Sequence, residues 1–329
     1  MRVVATLPFD GAEEIPPDTQ VTVRFSHPVP PRAVAPYFQV LDTRTEQPVA
    51  GELRWQDAEG ERGYRTLVFE PADRLRPASA YRIRLNAPAS EGVAPFEATF
   101  VTMPPLAVEA VQPSPGAEGV SVRPTDTLIT VQFNHPVVPL VGPAQQAQLP
   151  VPIRVAPPLQ GEGEWLTTRL FVFRPTEFLR PGTEYQVTVR AGLTDTLGLP
   201  LDSPYTWRFT TALPAVEAVE PANADDLIGA TAPITVVFNV PMDPSSTAQR
   251  FRVTLDSPDG PAVDGSIEWP DARHLRFRPA APLPRGRRVV IAVSAGAQGL
   301  AGGELAQCVS RHPRRGTGPA RRAHAADCR

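Results

Sequence analysis

One stretch constrains this chain more than any other. Residues 171–189 read Phe-Val-Phe-Arg-Pro-Thr-Glu-Phe-Leu-Arg-Pro-Gly-Thr-Glu-Tyr-Gln-Val-Thr-Val, and the pattern recurs without gaps 104 residues upstream and 104 residues downstream. Leu67, Phe69, Pro71, Leu75, Tyr81, Ile83 and Leu85 stand where Phe171, Phe173, Pro175, Leu179, Tyr185, Val187 and Val189 stand. Leu275, Phe277, Pro279, Leu283, Val289, Ile291 and Val293 repeat the series. A period of this length makes the chain a tandem array. Inside the unit, Phe171 and Phe173 alternate with other positions, and Pro175 ends the run because it has no N–H for a sheet ladder. Pro181-Gly182-Thr183 is turn chemistry. Tyr185, Val187 and Val189 then resume the period of two that belongs to a strand with one buried face.

The flanking sequence follows the same logic. Val21, Val23 and Phe25 alternate before Ser26-His27-Pro28; Ile129, Val131 and Phe133 before Asn134-His135-Pro136; Ile234, Val236 and Phe238 before Asn239-Val240-Pro241. Short alternating runs at Tyr37–Leu41, Gly51–Trp55 and 96–102, with their counterparts downstream, bring each copy to about seven strands with frequent turn signals. That is the signature of an immunoglobulin-like sandwich. The fold class expected is therefore all-β: three tandem immunoglobulin-like β-sandwich domains, over residues 1–103, 106–212 and 215–305, the third incomplete. Tyr81 and Tyr185, at the start of the sixth strand, suit a tyrosine corner; Val289 in the third copy does not. In the third copy the seventh strand would fall near residue 311, where alternation fails. Residues 306–329 carry six arginines and are expected to be an aberrant basic tail, disordered, produced by a frameshift or a truncated reading.

Proline makes up 41 of the 329 residues, about 12% against an average near 5%, which argues against long helices. Net charge is −3, so no nucleic-acid footprint is expected. All basic residues are arginine. No apolar run approaches the ~20 residues of a membrane span. The N-terminus shows no signal-peptide h-region and enters a first strand directly.

Candidate chemistry is sparse. His27 and His135 sit at one repeat position and His274, His312 and His324 elsewhere, too scattered for a metal site, so a turn role is expected. No nucleophile elbow is present. Cys308 and Cys328 lie in the tail, as free thiols or artefacts. Asp195 and Asp225-Asp226 are candidates for calcium at domain junctions, but neither place supplies the 6–8 oxygens required, and turn formation is expected. Gly161-Glu-Gly-Glu-Trp165 is acidic and leads into no helix, so it is no phosphate loop. Trp55, Trp165 and Trp269 recur before the fifth strand and read as core aromatics rather than a carbohydrate platform. No catalytic, cofactor-binding or metal-binding residue is assigned; no cofactor and no enzyme activity are expected.

The opening Val111 to Val120, Val-x-Pro-x-x-Gly-Ala-x-x-Val, followed by Ile129-Thr-Val-Gln-Phe-Asn-His-Pro-Val, resembles the bacterial Ig-like domain of the SbsA (S-layer protein) type. Leu179-Arg-Pro-Gly-Thr-Glu-Tyr and Asp195-Thr-Leu-Gly-Leu-Pro-Leu fit the same family. Within the second copy, Phe133 to Leu140, Leu149-Pro-Val-Pro and Gly163-Glu-Trp-Leu-Thr-Thr168 resemble the N-terminal region of bacterial alpha-2-macroglobulin-like proteins, envelope-associated protease traps. The family's thioester motif, Cys-x-Glu-Gln, follows neither Cys308 nor Cys328, and no bait region is identified. The resemblance implies non-catalytic modules from the N-terminal part of an exported protease-inhibitor protein. It implies a cell-envelope or extracellular location and a parent that begins upstream. The partners implied are neighbouring modules of the same chain and, through the full-length parent, proteases. A surface adhesion or S-layer spacer, or accessory modules for a catalytic domain, are the alternatives.

Overall fold

The computed structural model describes residues 1–58, 63–146, 148–220, 231–284, 287–306 and 309–311. The chain divides into two compact units, Met1–Ala107 with Thr194–Asp202, and Val108–Leu193 with Ser203–Arg329.

The first unit holds one sandwich. Its strands are β1 (Val3–Leu7), β2 (Ala12–Ile15), β3 (Val21–Val29), β4 (Phe38–Asp42), β5 (Gln47–Pro48), β6 (Gly51–Ala58), β7 (Tyr64–Pro71), β8 (Ala80–Leu85) and β9 (Phe96–Thr102). One sheet runs β1-β3-β7-β6 and the other β2-β9-β8-β4-β5. The opening segment thus serves both sheets: β1 pairs antiparallel with β3, and β2 pairs parallel with β9. Alternation on β3 and β8 buries Val21, Val23, Phe25, Tyr81, Ile83 and Leu85 between the sheets, as their period of two requires. The stretch Thr194–Asp202 is compact with this unit, with the Arg74 guanidinium against Gly198.

The second unit holds two sandwiches. The first has β10 (Val108–Gln112), β11 (Ala117–Val120), β12 (Ile129–Phe133), β13 (Ile153–Ala156), β14 (Gly161–Trp165), β15 (Leu170–Pro175), β16 (Glu184–Val189) and β17 (Tyr205–Thr211). They form sheets β10-β12-β15-β14 and β11-β17-β16-β13. The repeated stretch therefore does not make a hairpin: β15 belongs to one sheet and β16 to the other, and Pro175–Thr183 carries the chain across. Phe133, Tyr185 and Val187 are buried as their alternation predicts. Val172 and its counterpart Val68 are buried too, although the alternation places them on the other face of the strand.

The next sandwich has β18 (Val216–Glu220), β19 (Ile234–Phe238), β20 (Phe251–Leu255), β21 (Gly265–Asp271), β22 (His274–Pro279), β23 (Val289–Val293) and β24 (Val309–Arg311), in sheets β18-β19-β22-β21 and β20-β23-β24. A seven-residue helix, Pro244–Arg250, precedes β20; Asp243 caps it by accepting a hydrogen bond from the Ser246 N–H at 2.6 Å, and proline takes the first turn, where no N–H is needed. The expectation of a missing seventh strand is corrected here. Val309–Arg311 pairs antiparallel with β23, placing Arg311 opposite Ile291 and Val309 opposite Val293. That is the register in which Trp207 faces Val187 and Tyr205 faces Val189 in the preceding sandwich. Pairing rests on backbone groups, so the loss of apolar alternation does not prevent it. Residues 312–329 of the expected tail lie outside the described residues.

Candidate functional site

The sequence candidates separate once placed. Ser26 Oγ lies 3.0 Å from His27 Nδ1 at the end of β3. His274 Nδ1 lies 2.8 Å from both carboxylate oxygens of Asp271, across the β21–β22 turn. That hydrogen bond is the main reason the Asp271 carboxyl sits below the usual carboxylate range, helped by the Arg273 N–H. His135 lies in the connection after β12. Cys308, Cys328, His312, His324, Asp225 and Asp226 lie outside the described residues. Among the described residues, no group of three or more His, Cys, Asp or Glu side chains could hold a metal ion.

Asp195 is 5% exposed. Its Oδ1 accepts from the Leu197 and Leu199 N–H groups at 2.9 and 2.8 Å, and the Asp195 N–H donates to the Leu199 carbonyl. The side chain thus builds the turn it sits in. Trp165 is buried, its Nε1–H donating to the Pro150 carbonyl at 2.9 Å, with its ring against Phe133 and Phe171. Trp55 lies against Tyr64, and Trp269 stacks on Phe238. Gly161 is required by close approach: a Cβ there would strike the Phe173 ring at 2.5 Å, and Gly51 meets Phe69 in the same way. The aromatic of each neighbouring strand covers the glycine of its partner.

The tyrosine corner is present in two sandwiches. The Arg76 N–H donates to the Tyr81 hydroxyl at 2.8 Å and the Arg180 N–H to the Tyr185 hydroxyl at 3.0 Å. Each corner has a second fastening the sequence reading missed. Thr102 and Thr211, both buried, end the seventh strand and donate to the carbonyls of Arg76 and Arg180 at 2.5 and 2.6 Å. Their hydroxyls also accept from the Ser79 and Thr183 N–H groups, each at 3.0 Å. The recurrence of threonine at that place was the available signal.

An open groove of about 230 Å³ lies beside the first corner, lined among others by Asp42, Arg74, Arg76 and Tyr81. Its buried carboxylate is already committed: Asp42 pairs with Arg76 and accepts from the Arg44 N–H at 2.9 Å.

The most connected polar cluster joins the two sandwiches of the second unit. Glu217 on β18 pairs with Arg123, from the loop after β11, and with Arg273 at 2.9 Å. The Arg273 Nε–H also donates to the Phe238 carbonyl at 2.8 Å. The Asn239 amide donates to the Leu213 carbonyl at 3.0 Å, and its Oδ1 accepts from the Ala215 N–H at 2.7 Å, fixing the linker to the end of β19. Gly303, at φ +74°, lies where a Cβ would meet the Pro181 side chain at 2.9 Å and Pro214 at 3.1 Å. The loop before β24 thus packs on the corner turn of the preceding sandwich. Its carboxylate and two guanidiniums are paired with one another, and what the arrangement does is fix one sandwich against the next. Sequence reasoning missed it because Arg123 is not a repeat position, and the glutamate that Glu217 shares with Glu109 of the second copy is Val4 in the first.

The match to a known protein family agrees with this architecture. A family model described as bacterial Ig-like domain matches residues 1–102, 101–211 and 212–310. An alpha-2-macroglobulin homolog from Nostoc sp. is 29% identical over 40% of this chain, a match that spans 8% of that protein's length. Among solved structures, the N-terminal part of the bacterial S-layer protein SbsC aligns at 13% identity with a TM-score of 0.24, covering 63% of this chain and 43% of its own. An L,D-transpeptidase from Mycobacterium tuberculosis aligns at 20% identity and a TM-score of 0.23, covering 64% and 77%. An endo-fucoidan hydrolase aligns at 12% identity and a TM-score of 0.28, covering 92% and 42%.

Proposed function

Because the chain belongs to the bacterial Ig-like domain family along nearly its whole length, we propose that it acts as a structural, non-catalytic array in the cell envelope or outside the cell, positioning other parts of a larger protein. The finer reading is that this larger protein is an alpha-2-macroglobulin-like protease inhibitor and that these modules come from its N-terminal region. The observation that carries the array reading is the joint centred on Glu217, where polar and apolar contacts hold consecutive modules together. The alpha-2-macroglobulin reading is supported by the sequence match to the Nostoc protein. Modules that only space and orient need stable cores and fixed joints, and the side chains above are spent on both.

Cell fractionation followed by immunoblotting tests the proposal. The expected result is an envelope or extracellular signal carried by a polypeptide much larger than the 35.6 kDa of this chain, one that traps added proteases. A cytosolic species of 35.6 kDa would overturn the location and the parent together. An envelope protein that binds no protease would retain the structural array and remove the inhibitor.

A further inference from the structure

The three sandwiches differ at one sheet edge. In the first, β4 is covered: β5 pairs with it, and the Val49 N–H donates to the Val40 carbonyl at 2.7 Å. In the third, β20 is covered by residues 261–263. The Leu255 N–H donates to the Pro261 carbonyl at 3.0 Å, the Val263 N–H donates to the Val253 carbonyl at 2.9 Å, and Thr254 bridges to Ala262. Val40 lies opposite Ile83 and Val253 opposite Ile291; Val155 on β13, opposite Val187, is their counterpart. Residues of an antiparallel pair alternate between bonding their partner and facing away from it. The peptide groups of Ile153 and Val155 therefore face away from β16, as those of Val40 and Val253 do. Among the described residues no strand pairs with them: β13 is the last strand of its sheet. The chain leaves through Ala156-Pro157-Pro158 without returning along the edge.

An uncovered edge is a template for another strand. Pro152 and Pro157 bracket this one, so it offers room for a short segment and not for sheet-to-sheet growth. The covered edges indicate what fits. Both place a valine, Val49 or Val263, partly buried beside the strand. In the third sandwich the register of Thr254 with Ala262 carries on to set Asp264 opposite Arg252. Arg154 is the counterpart of Arg252, since each neighbours the edge valine; it is exposed, with no ion pair among the described residues.

We propose that the open edge of β13 is a strand-addition site for an extended segment of another polypeptide. That segment carries a valine at the place of Val49 and Val263, followed by a carboxylate beside Arg154. The proposal is independent of the identity of the parent protein.

The probe is a capped peptide with the sequence of residues 259–265, Asp-Gly-Pro-Ala-Val-Asp-Gly, titrated into the isotope-labelled full chain. Saturable amide shifts and slowed exchange at Ile153 and Val155, without comparable change at Val40 and Val253, are expected. Replacing the second aspartate of the peptide by arginine should weaken binding roughly two- to fivefold, the range of an exposed ion pair. Arg154→Glu, a surface change that leaves the fold intact, should reverse that preference. No response at Ile153 and Val155 up to millimolar peptide overturns the proposal, as does binding whose preference Arg154→Glu leaves unchanged. Concentration-dependent pairing of two copies through β13 without peptide would also overturn it, by giving the edge to the chain itself.

Discussion

Tyr185→Phe isolates one hydrogen bond in the corner of the second sandwich. Tyr185 is 1% exposed, and its ring stacks on Phe209 with centroids 5.5 Å apart. Phenylalanine keeps that stack and the volume, and loses only the oxygen that accepts the Arg180 N–H. Leaving a buried donor without its acceptor costs about 1–3 kcal/mol. The lower half of that range applies, because the bond is only part-buried and the same residue stays fastened through its carbonyl: Thr211 Oγ1 donates to the Arg180 carbonyl, so the turn keeps its place. The expected loss is about 1–2 kcal/mol. With a urea slope near 1–1.5 kcal/mol/M for a module of this size, the midpoint falls by about 1 M at constant slope. Denaturant-dependent amide exchange at residues 185–189 reads the second sandwich alone. Thr211→Val removes the other fastening, and the double variant should depart from additivity by about 0.5 kcal/mol or more, since both groups hold the backbone of one residue, Arg180. A midpoint shifted by less than about 0.2 M would refute the corner as a source of stability. A loss of about 3–5 kcal/mol, the size of removing the whole ring, would mean that the turn depends on the hydroxyl alone.

Phe133→Ala should cost about 3–5 kcal/mol, because Phe133 is fully buried against Trp165 and the cavity cannot collapse freely; an unchanged urea midpoint for the second sandwich would exclude it. Glu217→Gln should lower stability by at most about 1 kcal/mol, since the carboxylate is 43% exposed and screened. It should also loosen the joint, so that nitrogen relaxation gives the second and third sandwiches distinct tumbling; identical relaxation in variant and parent would refute the assignment. For Asp271, whose carboxyl the His274 hydrogen bond holds below the usual range, the folded value is the depressed one. Its contribution is therefore complete above about pH 4, the ordinary carboxylate value, and is lost as pH falls through the folded value. Asp271→Asn should remove that acid-side component from the third sandwich, and a carboxyl titration of Asp271 at or above the ordinary value would contradict it.

The fold was largely legible because it is written three times. A single run such as Ile129-Thr-Val-Gln-Phe133 is an ambiguous strand signal, but its recurrence at Val21 and Ile234 before the same turn chemistry removes the ambiguity. The core residues followed directly from the period of two. What did not follow were features carried by backbone geometry or by one copy only. The parallel strands β2 and β11 are Ala12–Ile15 and Ala117–Val120, too short and too polar to alternate. The helix at Pro244–Arg250 has its signals, Asp243 followed by proline, but the other copies hold only shorter helical turns at that place, Pro31–Ala33 with Ala35–Tyr37 and Pro143–Gln146, and lack the capping aspartate. The joint at Glu217 depends on two arginines from different sandwiches that no local pattern connects. Repetition exposes what the copies share and conceals what distinguishes them.

Strand β24 shows where that logic stops. Alternation is a statement about side chains that need burial, whereas a strand is held first by its peptide groups. In the third sandwich β23 buries Val289, Ile291 and Val293 on its own account, and β20 pairs with one of its edges. The other edge presents N–H and C=O groups that any extended chain arriving from the preceding loop can satisfy. That loop is fixed before β24 begins, by Leu305, which donates to the Ala297 carbonyl, and by Gly303 against Pro181 and Pro214. Its end delivers residue 309 opposite Val293, so the register follows from where the chain is released and not from what it contains. The expectation of a missing strand assumed that sequence character decides pairing; here topology decides it. The same argument applied to β13 gives the opposite result, because Pro157-Pro158 directs the chain away from an edge whose peptide groups are equally available.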